Sequence, residues 1–257
     1  MRDRREVSVS ILATTADRVL TVLSLFSGDK WVWTVEEAAQ ALGLPTSTTY
    51  RYFKSLADCE LIGPHQTGNY VLGPAVYELD RALRTHDPFV NAASGEMLRL
   101  AAENDRTIIL LTRLYKNKVM CVHREGESFA AQGYERGRPM PLERGAASKV
   151  ILANLPLRQL RTLAEDIEAD GGPSIGDLRN ELRTIRANGY AITYGEIDPG
   201  KVGISVPVFR ENEVLEGSLS FVLEDGEHSS LAHYVDQLNR SRKIVESNLH
   251  ERVNAKD

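Results

Sequence analysis

The chain of 257 residues has little cysteine and no apolar run long enough to cross a membrane. Its two cysteines, Cys59 and Cys121, are too few and too far apart for the disulfide framework of small secreted domains, so we expect two reduced, packed thiols. The basic start of the chain is followed by Thr14, Asp17 and Arg18, which interrupt any signal-peptide core. These features predict a cytoplasmic protein.

Positive charge is also scarce, because 31 Lys and Arg residues face 36 Asp and Glu residues, for a net charge of −5. A nucleic-acid partner normally requires a basic surface, so this balance counts against DNA binding unless one region is locally basic. A hydrophobic share of 42% and a charged share of 26% are typical of a globular protein. The length favours two domains.

Motifs for common catalytic and metal chemistry are absent. None of the six histidines has HExxH or His-Cys spacing, and GxGxxG, GxxxxGKS and GxSxG do not occur. Ser148 and Lys149 are adjacent, so their side chains diverge instead of pairing as nucleophile and base. His123 and Glu196 could be an acid and a base, but a single strand histidine is more often structural. We expect no metal, no cofactor and no catalysis, with a metabolite-binding enzyme as the alternative.

Two helices are predicted before residue 44. Apolar residues recur at helical spacing from Val19 to Phe26. Thr34 and Glu37 form a capping box that begins a second helix, and Gly43 supplies the left-handed residue that ends it.

A third helix is predicted from LGLPTSTTYRYFKSL, residues 42–56. Its buried face shows the spacing i, i+3, i+4 and i+7 in Thr49, Tyr52, Phe53 and Leu56. Either Thr46 or Ser47 can cap the helix. The other hydroxyl side chains then lie at the N-terminus of the helix, where the helix dipole favours anions such as phosphate. No Asp or Glu occurs between residues 38 and 57, so this segment is basic although the chain is acidic.

The next segment, LIGPHQTGNYVLG, predicts a β-hairpin, which completes a winged helix-turn-helix. In that arrangement the third helix enters the major groove of double-stranded operator DNA and the hairpin lies along the backbone. The residues placed to contact DNA are Thr46, Ser47, Thr48, Tyr50, Arg51, Lys54, His65, Gln66 and Thr67. An interaction module with the same three-helix core and no DNA is the alternative.

The rest of the chain predicts helices interleaved with an antiparallel sheet, an α+β organisation. Pro74 opens a linker helix that ends around His86. TIILLTRLY, KVMCVHR, VGISVPVF and GSLSFVL indicate strands, and a long helix follows them. The expected division is a flexible N-terminus (1–10), a winged helix-turn-helix (11–73), the linker helix (74–87) and a sheet-based domain (88–257).

The chain resembles the IclR family of bacterial transcriptional regulators from its first helix to its end. In the DNA-binding part the resemblance lies in Gly43-Leu44-Pro45, Ser47-Thr48, Arg51 and Tyr70-Val71-Leu72-Gly73. In the second part it lies in Pro141-Leu142, Ala146 to Lys149, Gly189-Tyr190, Gly195-Glu196 and Pro207-Val208. The chain departs from the family's pattern at Thr46, Tyr50 and Glu143-Arg144.

The resemblance implies a repressor with a GAF-like effector-binding domain, a small organic or aromatic acid as effector, and dimers that pair into a tetramer. It places the effector at a small-residue helix start and facing strands, lined by Met140, Gly145, Ala146, Ala147, Ser148, Thr193, Val202, Gly203, Ser205 and Ser220. Small residues there let a carboxylate approach backbone amides at the helix N-terminus. The same residues also suit close packing of a helix on a sheet, and each serine can be satisfied by backbone groups.

Overall fold

The structure, a computed structural model, describes residues 14–126, 134–226 and 230–254. The predicted flexible segment at residues 1–10 lies outside these ranges. The chain divides into two compact units between His86 and Asp87. No helix in the described ranges combines the length and the apolar character needed to cross a membrane.

The described part of the first unit, residues 14–86, contains four α-helices and a small sheet. Its elements are α1 (Thr15–Ser24), β1 (Trp33–Thr34), α2 (Val35–Leu42), α3 (Thr46–Asp58), β2 (Ile62–Gln66), β3 (Asn69–Leu72) and α4 (Pro74–His86). The predicted capping box is confirmed, since the Glu37 amide donates to the Thr34 hydroxyl at 3.1 Å and the Thr34 amide donates to the Glu37 carboxylate at 3.0 Å. Gly43 ends α2 in the left-handed conformation, with φ of 63°.

The core of this unit forms around the predicted inner face of α3, whose members Thr49, Tyr52, Phe53 and Leu56 are all buried. The Phe53 ring lies 6.0 Å from that of Phe26 and 5.1 Å from that of Tyr70. Tyr70 belongs to the predicted hairpin, which is also confirmed, with β2 and β3 antiparallel. Strand β1, which sequence reasoning missed, adds a third strand by pairing Trp33 with Tyr70.

The second unit is built on a six-stranded antiparallel sheet in the order β6-β5-β4-β9-β8-β7. Its strands are β4 (Ile108–Tyr115), β5 (Lys118–Glu125), β6 (Pro139–Met140), β7 (Ala191–Tyr194), β8 (Lys201–Arg210) and β9 (Val214–Glu224). Its helices are α5 (Pro88–Glu103), α6 (Ala146–Ala153), α7 (Leu157–Ala169), α8 (Ile175–Asn188) and α9 (Leu231–Asn254). The predicted α+β class with an antiparallel sheet is confirmed, and α7 is a helix that sequence reasoning missed.

Both faces of this sheet are covered, because alternate strand residues point to opposite sides. In β4, Ile108 and Leu110 join one apolar cluster with residues of α6, α7 and α8. Ile109 and Leu111 join a second cluster with residues of α5 and α9. We call the side that faces α6 the inner face of the sheet.

Candidate functional sites

The outer side of α3 displays the polar residues predicted to contact DNA. Tyr50 is 58% exposed, and Arg51 and Lys54 are exposed beside it. Because the neighbouring Tyr52 and Phe53 are buried, the helix is held by one face and presents the other. Thr46 and Ser47 are exposed at the helix start, and Thr48 is half-buried.

The start of α3 differs from the sequence prediction. Pro45 is the N-cap residue in an extended conformation, and no hydrogen bond from a described side chain caps the helix. The expectation that Thr46 or Ser47 caps it is therefore wrong, because the helix already begins at Thr46. Thr49 is the buried member of the four hydroxyl residues and donates to the Pro45 carbonyl at 3.2 Å. The first-turn amides, not engaged by a capping side chain, suit an anion such as phosphate.

The hairpin formed by β2 and β3, which we call the wing, carries His65, Gln66 and Thr67 in exposed positions. The His65 ring packs edge-on against Trp31, with 5.6 Å between centroids, and Trp31 is itself 60% exposed. The chain has no Asp or Glu from residue 61 to residue 77. The wing and residues 46–57 of α3 therefore lack the negative charge that would repel a DNA backbone, and the one acidic residue of α3, Asp58, is its last residue.

A cavity of about 20 Å³ lies between the start of α6 and the inner face of the sheet. Seven of the predicted effector residues line it, namely Met140, Gly145, Ala146, Ala147, Thr193, Gly203 and Ser220. Sequence reasoning missed other lining residues, among them Leu110, Tyr134, Glu196, Ile197, Lys201, Phe221 and Val222. A volume of this size holds about one water molecule, so an organic acid requires the lining side chains to move apart.

Three predicted residues do not line this cavity. Val202 packs in the apolar cluster on the opposite face, because it alternates with Gly203 along β8. Ser205 is fully buried and accepts a hydrogen bond from the Ser220 hydroxyl at 2.8 Å. Ser148 is also fully buried, and its hydroxyl has no hydrogen-bond partner among the described residues.

The amides at the start of α6 are engaged by side chains of the chain itself. The Gly145 amide donates to the Glu196 carboxylate at 2.7 Å, and the Ala146 amide donates to the Thr193 hydroxyl at 3.1 Å. Gly203 lets the helix approach β8, since a Cβ there would lie 3.4 Å from that of Ala146 and 3.2 Å from the Thr193 hydroxyl. A ligand carboxylate would have to displace Glu196 or Thr193 to reach these amides.

Two buried lysines lie near the cavity. Lys149 donates to Glu181 at 2.6 Å and to Glu196 at 2.7 Å, and its side chain is only 8% exposed. Although burial works against the charged form, the hydrogen bonds to these two carboxylates raise the pKa of Lys149. Lys201, a lining residue that is 5% exposed, pairs with Glu224 directly opposite on β9.

The remaining polar side chains that line the cavity, Tyr134, Thr193 and Ser220, are neutral hydrogen-bonding groups. Burial, and secondarily the nearby Asp198 carboxylate, raises the pKa of Tyr134, which therefore stays protonated near neutral pH. Farther along the inner face, Thr112 and Ser218 share a hydrogen bond of 2.7 Å. Within residues 14–126, 134–226 and 230–254, no three His, Cys, Asp or Glu side chains are placed to hold a metal ion.

One unit has a recognition helix that carries Arg51 and Lys54, together with a wing, and the other has a cavity between a helix and a sheet. This combination is that of a DNA-binding regulator with a separate regulatory domain. The family model described as the IclR helix-turn-helix domain matches residues 15–63. The model described as the bacterial transcriptional regulator IclR C-terminal domain matches residues 82–241, more than half of the chain. The chain belongs to the IclR family of bacterial transcriptional regulators.

Individual relatives agree with this assignment. The chain is 28% identical over 195 residues to the probable HTH-type transcriptional regulator ArcR of Halobacterium salinarum, covering 73% of this chain and 74% of the relative. It is 25% identical over 211 residues to the HTH-type transcriptional regulator KipR of Bacillus subtilis, covering 80% of this chain and 84% of the relative. These relatives and the matched domains are regulators, which contradicts the alternative of an enzyme.

The fold is shared with solved structures of the family. One is an IclR homologue from Microbacterium hydrocarbonoxydans in complex with 4-hydroxybenzoate, with a TM-score of 0.76 and 22% sequence identity. The match covers 92% of this chain and 99% of that one. At this identity the likeness establishes the fold, so the ligand is a property of the homologue.

Proposed function

We propose that the protein is a repressor that binds operator DNA through α3 and the wing and is controlled by a small organic acid in the cavity. The observation that carries the DNA-binding role is the exposed face of Tyr50, Arg51 and Lys54 on a helix whose other face is the domain core. Arg51 and Lys54 supply charge, and Arg51 can reach base edges in the major groove. Thr46, Ser47, Thr48 and the wing residues His65, Gln66 and Thr67 are placed to contact phosphate or the minor groove.

An enrichment of random double-stranded DNA on the immobilised full chain tests this role and yields the operator. The selected sequence should bind more tightly than a scrambled duplex. The logarithm of its affinity should fall linearly with the logarithm of the salt concentration, because phosphate contacts release counterions. Equal binding of selected and scrambled duplexes would reject sequence-specific recognition.

The effector role rests on the cavity at α6. Leu110, Met140 and Val222 provide apolar wall, while Thr193 and Ser220 provide hydroxyls, a mixture typical of sites for small organic ligands. The homologue bound to 4-hydroxybenzoate makes aromatic acids the first compounds to test. A thermal-shift screen of small aliphatic and aromatic acids should find one that raises the melting temperature, because a ligand that binds only the native state stabilises it.

Repression is the simplest regulatory outcome of this architecture. A protein bound over a promoter excludes polymerase, and this needs only DNA binding and its control. In vitro transcription from a promoter that carries the selected operator should fall when the protein is added. It should recover when the acid from the screen is added, whereas a rise on protein addition would identify an activator.

We assign the second unit to the GAF-like class because its antiparallel sheet has helices on both faces. The proposed domains are the winged helix-turn-helix (residues 11–73), the linker helix (74–87) and the effector-binding domain (88–257). The proposed location is the cytoplasm, where the DNA lies. Expressing residues 88–257 alone tests the boundary. A domain that folds and still binds the acid would support it.

A homodimer that pairs into a tetramer fits the exposed apolar side of the linker helix. No residue of α4 is buried. Leu79 and Leu83, one turn apart on one side of the helix, are 58% and 59% exposed, while Tyr77, on a different side, is 80% exposed. Leu20 on α1 is 61% exposed as well. Apolar side chains grouped in this way usually contact another chain, and paired reading helices also give a longer operator. Light scattering at DNA-binding concentrations tests this, and a monomer mass would contradict it.

A further inference from the structure

The cavity at α6 is lined by one lysine, Lys201. Among the described lining residues, Lys201 is the cationic one, and it is only 5% exposed. It begins β8 and lies on the same side of that strand as Gly203, two residues further on, which faces the start of α6. The lysine is therefore part of the inner face and is not a solvated residue at a strand end.

The pairing of Lys201 with Glu224 does not by itself explain this burial. Taking an ammonium out of water is costly, and a buried ion pair often contributes no more to stability than a well-packed apolar pair. The two residues lie directly opposite on β8 and β9, and the Glu224 side chain is 35% exposed while that of Lys201 is 6% exposed. The acidic partner thus lies nearer to solvent, and the lysine lies nearer to the cavity.

The same domain shows that one buried ammonium can hold two carboxylates. Lys149 donates to Glu181 and to Glu196 at distances below 2.8 Å. An ammonium has three N–H donors, so sharing of this kind is ordinary chemistry. The amides at the start of α6, by contrast, already donate to Glu196 and Thr193.

We propose that Lys201 is the specificity-determining residue of the cavity and that it receives the carboxylate of the effector, which joins or replaces Glu224. This proposal rests on the proposed function of the cavity as an effector site. The acid group then lies at the β8 end, and the body of the effector packs against Leu110, Met140 and Val222. A carboxylate at Lys201 leaves the Glu196 cap of α6 in place.

Matched pairs of acids and amides test this proposal, because each pair has the same shape and differs in charge. We would measure binding of benzoate and benzamide, 4-hydroxybenzoate and 4-hydroxybenzamide, and succinate and succinamide to the full chain by thermal shift and calorimetry. At least one acid should bind the native sequence while its amide does not. Lys201→Met should lower the affinity for that acid by about thirtyfold or more, which is the usual effect of removing one partner of a buried charge pair.

Two further variants keep the test decisive if Lys201→Met folds poorly. Lys201→Arg retains the charge and should retain the preference for the acid over its amide. Glu224→Gln removes the competing carboxylate and should strengthen binding of the acid several-fold. A gain in affinity cannot result from misfolding.

The outcomes separate the inference from the function on which it rests. If Lys201→Met and the native sequence bind the acid equally, the carboxylate is held elsewhere and only the role of Lys201 is rejected. If an acid and its amide bind equally well, the cavity does not recognise charge and the inference also fails. If no acid binds the native sequence, the proposed effector class fails together with the inference.

Discussion

The amide of Gly145 donates to the carboxylate of Glu196 at 2.7 Å, across 51 positions of the sequence. The other oxygen of the same carboxylate accepts from Lys149 at 2.7 Å. One side chain therefore caps the first turn of α6 and neutralises a buried lysine. The helix N-terminus, where the small residues of the sequence predict the acid group of an effector, is occupied by an acid group of the chain itself.

Removing this cap should destabilise the second unit. Glu196→Ala leaves the Gly145 amide and Lys149 each with one partner fewer and should lower the free energy of unfolding by about 1–3 kcal/mol. Glu181→Ala is the matched control, because Glu181 is the other carboxylate partner of Lys149. The Glu181 side chain is 46% exposed, so its removal should lower the free energy of unfolding by less than about 1 kcal/mol. Urea unfolding followed by circular dichroism measures both, and equal losses would reject the capping role.

The two cysteines should differ sharply in reactivity. Cys59 is exposed, which corrects the expectation of two packed thiols, whereas Cys121 is buried. At pH 8 a thiol reagent should therefore modify one cysteine per native chain, and two in denaturant. Cys59→Ser should remove the fast reaction, and a fast reaction that persists in this variant would contradict the assignment.

Alkaline pH should weaken the fold through Cys121. Burial raises the pKa of this thiol from 9.0 to about 11, so the native state keeps a proton that the unfolded chain has already lost. The stability that this provides is fully present below pH 9 and disappears as the pH rises towards 11. Urea unfolding from pH 8 to pH 11 should show a smaller decline in Cys121→Ala than in the native sequence.

Much of the first unit could be predicted from sequence because its signals are local. The capping box of Thr34 and Glu37 spans four residues, and the buried face of α3 repeats within two turns. Strand β1 escaped prediction because two residues, Trp33 and Thr34, carry no periodicity and become a strand only by pairing with β3.

The cavity was predictable only in part, because some of its contacts join residues that are distant in the sequence. Its small-residue helix start is local and the family resemblance marks it. Glu196 reaches Gly145, and Lys201 reaches Glu224, only after the sheet has assembled, and no local pattern encodes these meetings. Val202 was placed on the wrong face although its neighbour Gly203 was placed at the cavity. Adjacent strand residues point to opposite faces, so the sequence alone already excluded one of the two.

Arg51 and Lys54 should contribute differently to DNA binding. Arg51→Ala should weaken binding to the selected operator by about 1–3 kcal/mol and relax base preference, if its guanidinium forks onto a guanine. Lys54→Ala should weaken all duplexes more evenly and reduce the salt dependence, as expected for a phosphate contact. Anisotropy titrations at fixed salt with operator and scrambled duplexes measure the ratio, and an unchanged ratio in Arg51→Ala would reject base reading.

If α4 forms the proposed interface, a charge on its exposed Leu79 and Leu83 side should prevent oligomer formation. Leu83→Glu places a carboxylate where Leu79 and Leu83 are both more than half exposed in the single chain. Leu157→Glu is the control, since Leu157 on α7 is 75% exposed and lies outside the proposed interface. Light scattering should show a lower mass for Leu83→Glu alone, together with weaker operator binding. A lower mass for both variants would mean that the loss is not specific to α4.

Filling the cavity should separate effector binding from DNA binding. Ala147 lines the cavity and Ala153 lies near the other end of α6, and both are 4% exposed. Leucine at either position crowds the interior and should cost about 1–3 kcal/mol of stability. Only Ala147→Leu occupies the space that a ligand needs, so it should lose affinity for the acid from the screen while Ala153→Leu keeps it.

Both leucine variants should bind operator DNA normally when no acid is present, because α3 and the wing belong to the other unit. The acid should change the free energy of operator binding by about 1–3 kcal/mol in the native sequence and in Ala153→Leu. In Ala147→Leu the acid should leave operator binding unchanged. The coupling must be reciprocal, so saturating operator should change acid affinity by the same factor. Calorimetry and anisotropy on the same preparations measure both quantities. Unchanged acid affinity in a folded Ala147→Leu protein would show that the acid binds elsewhere, and the small residues of α6 would then serve only its close packing on β8.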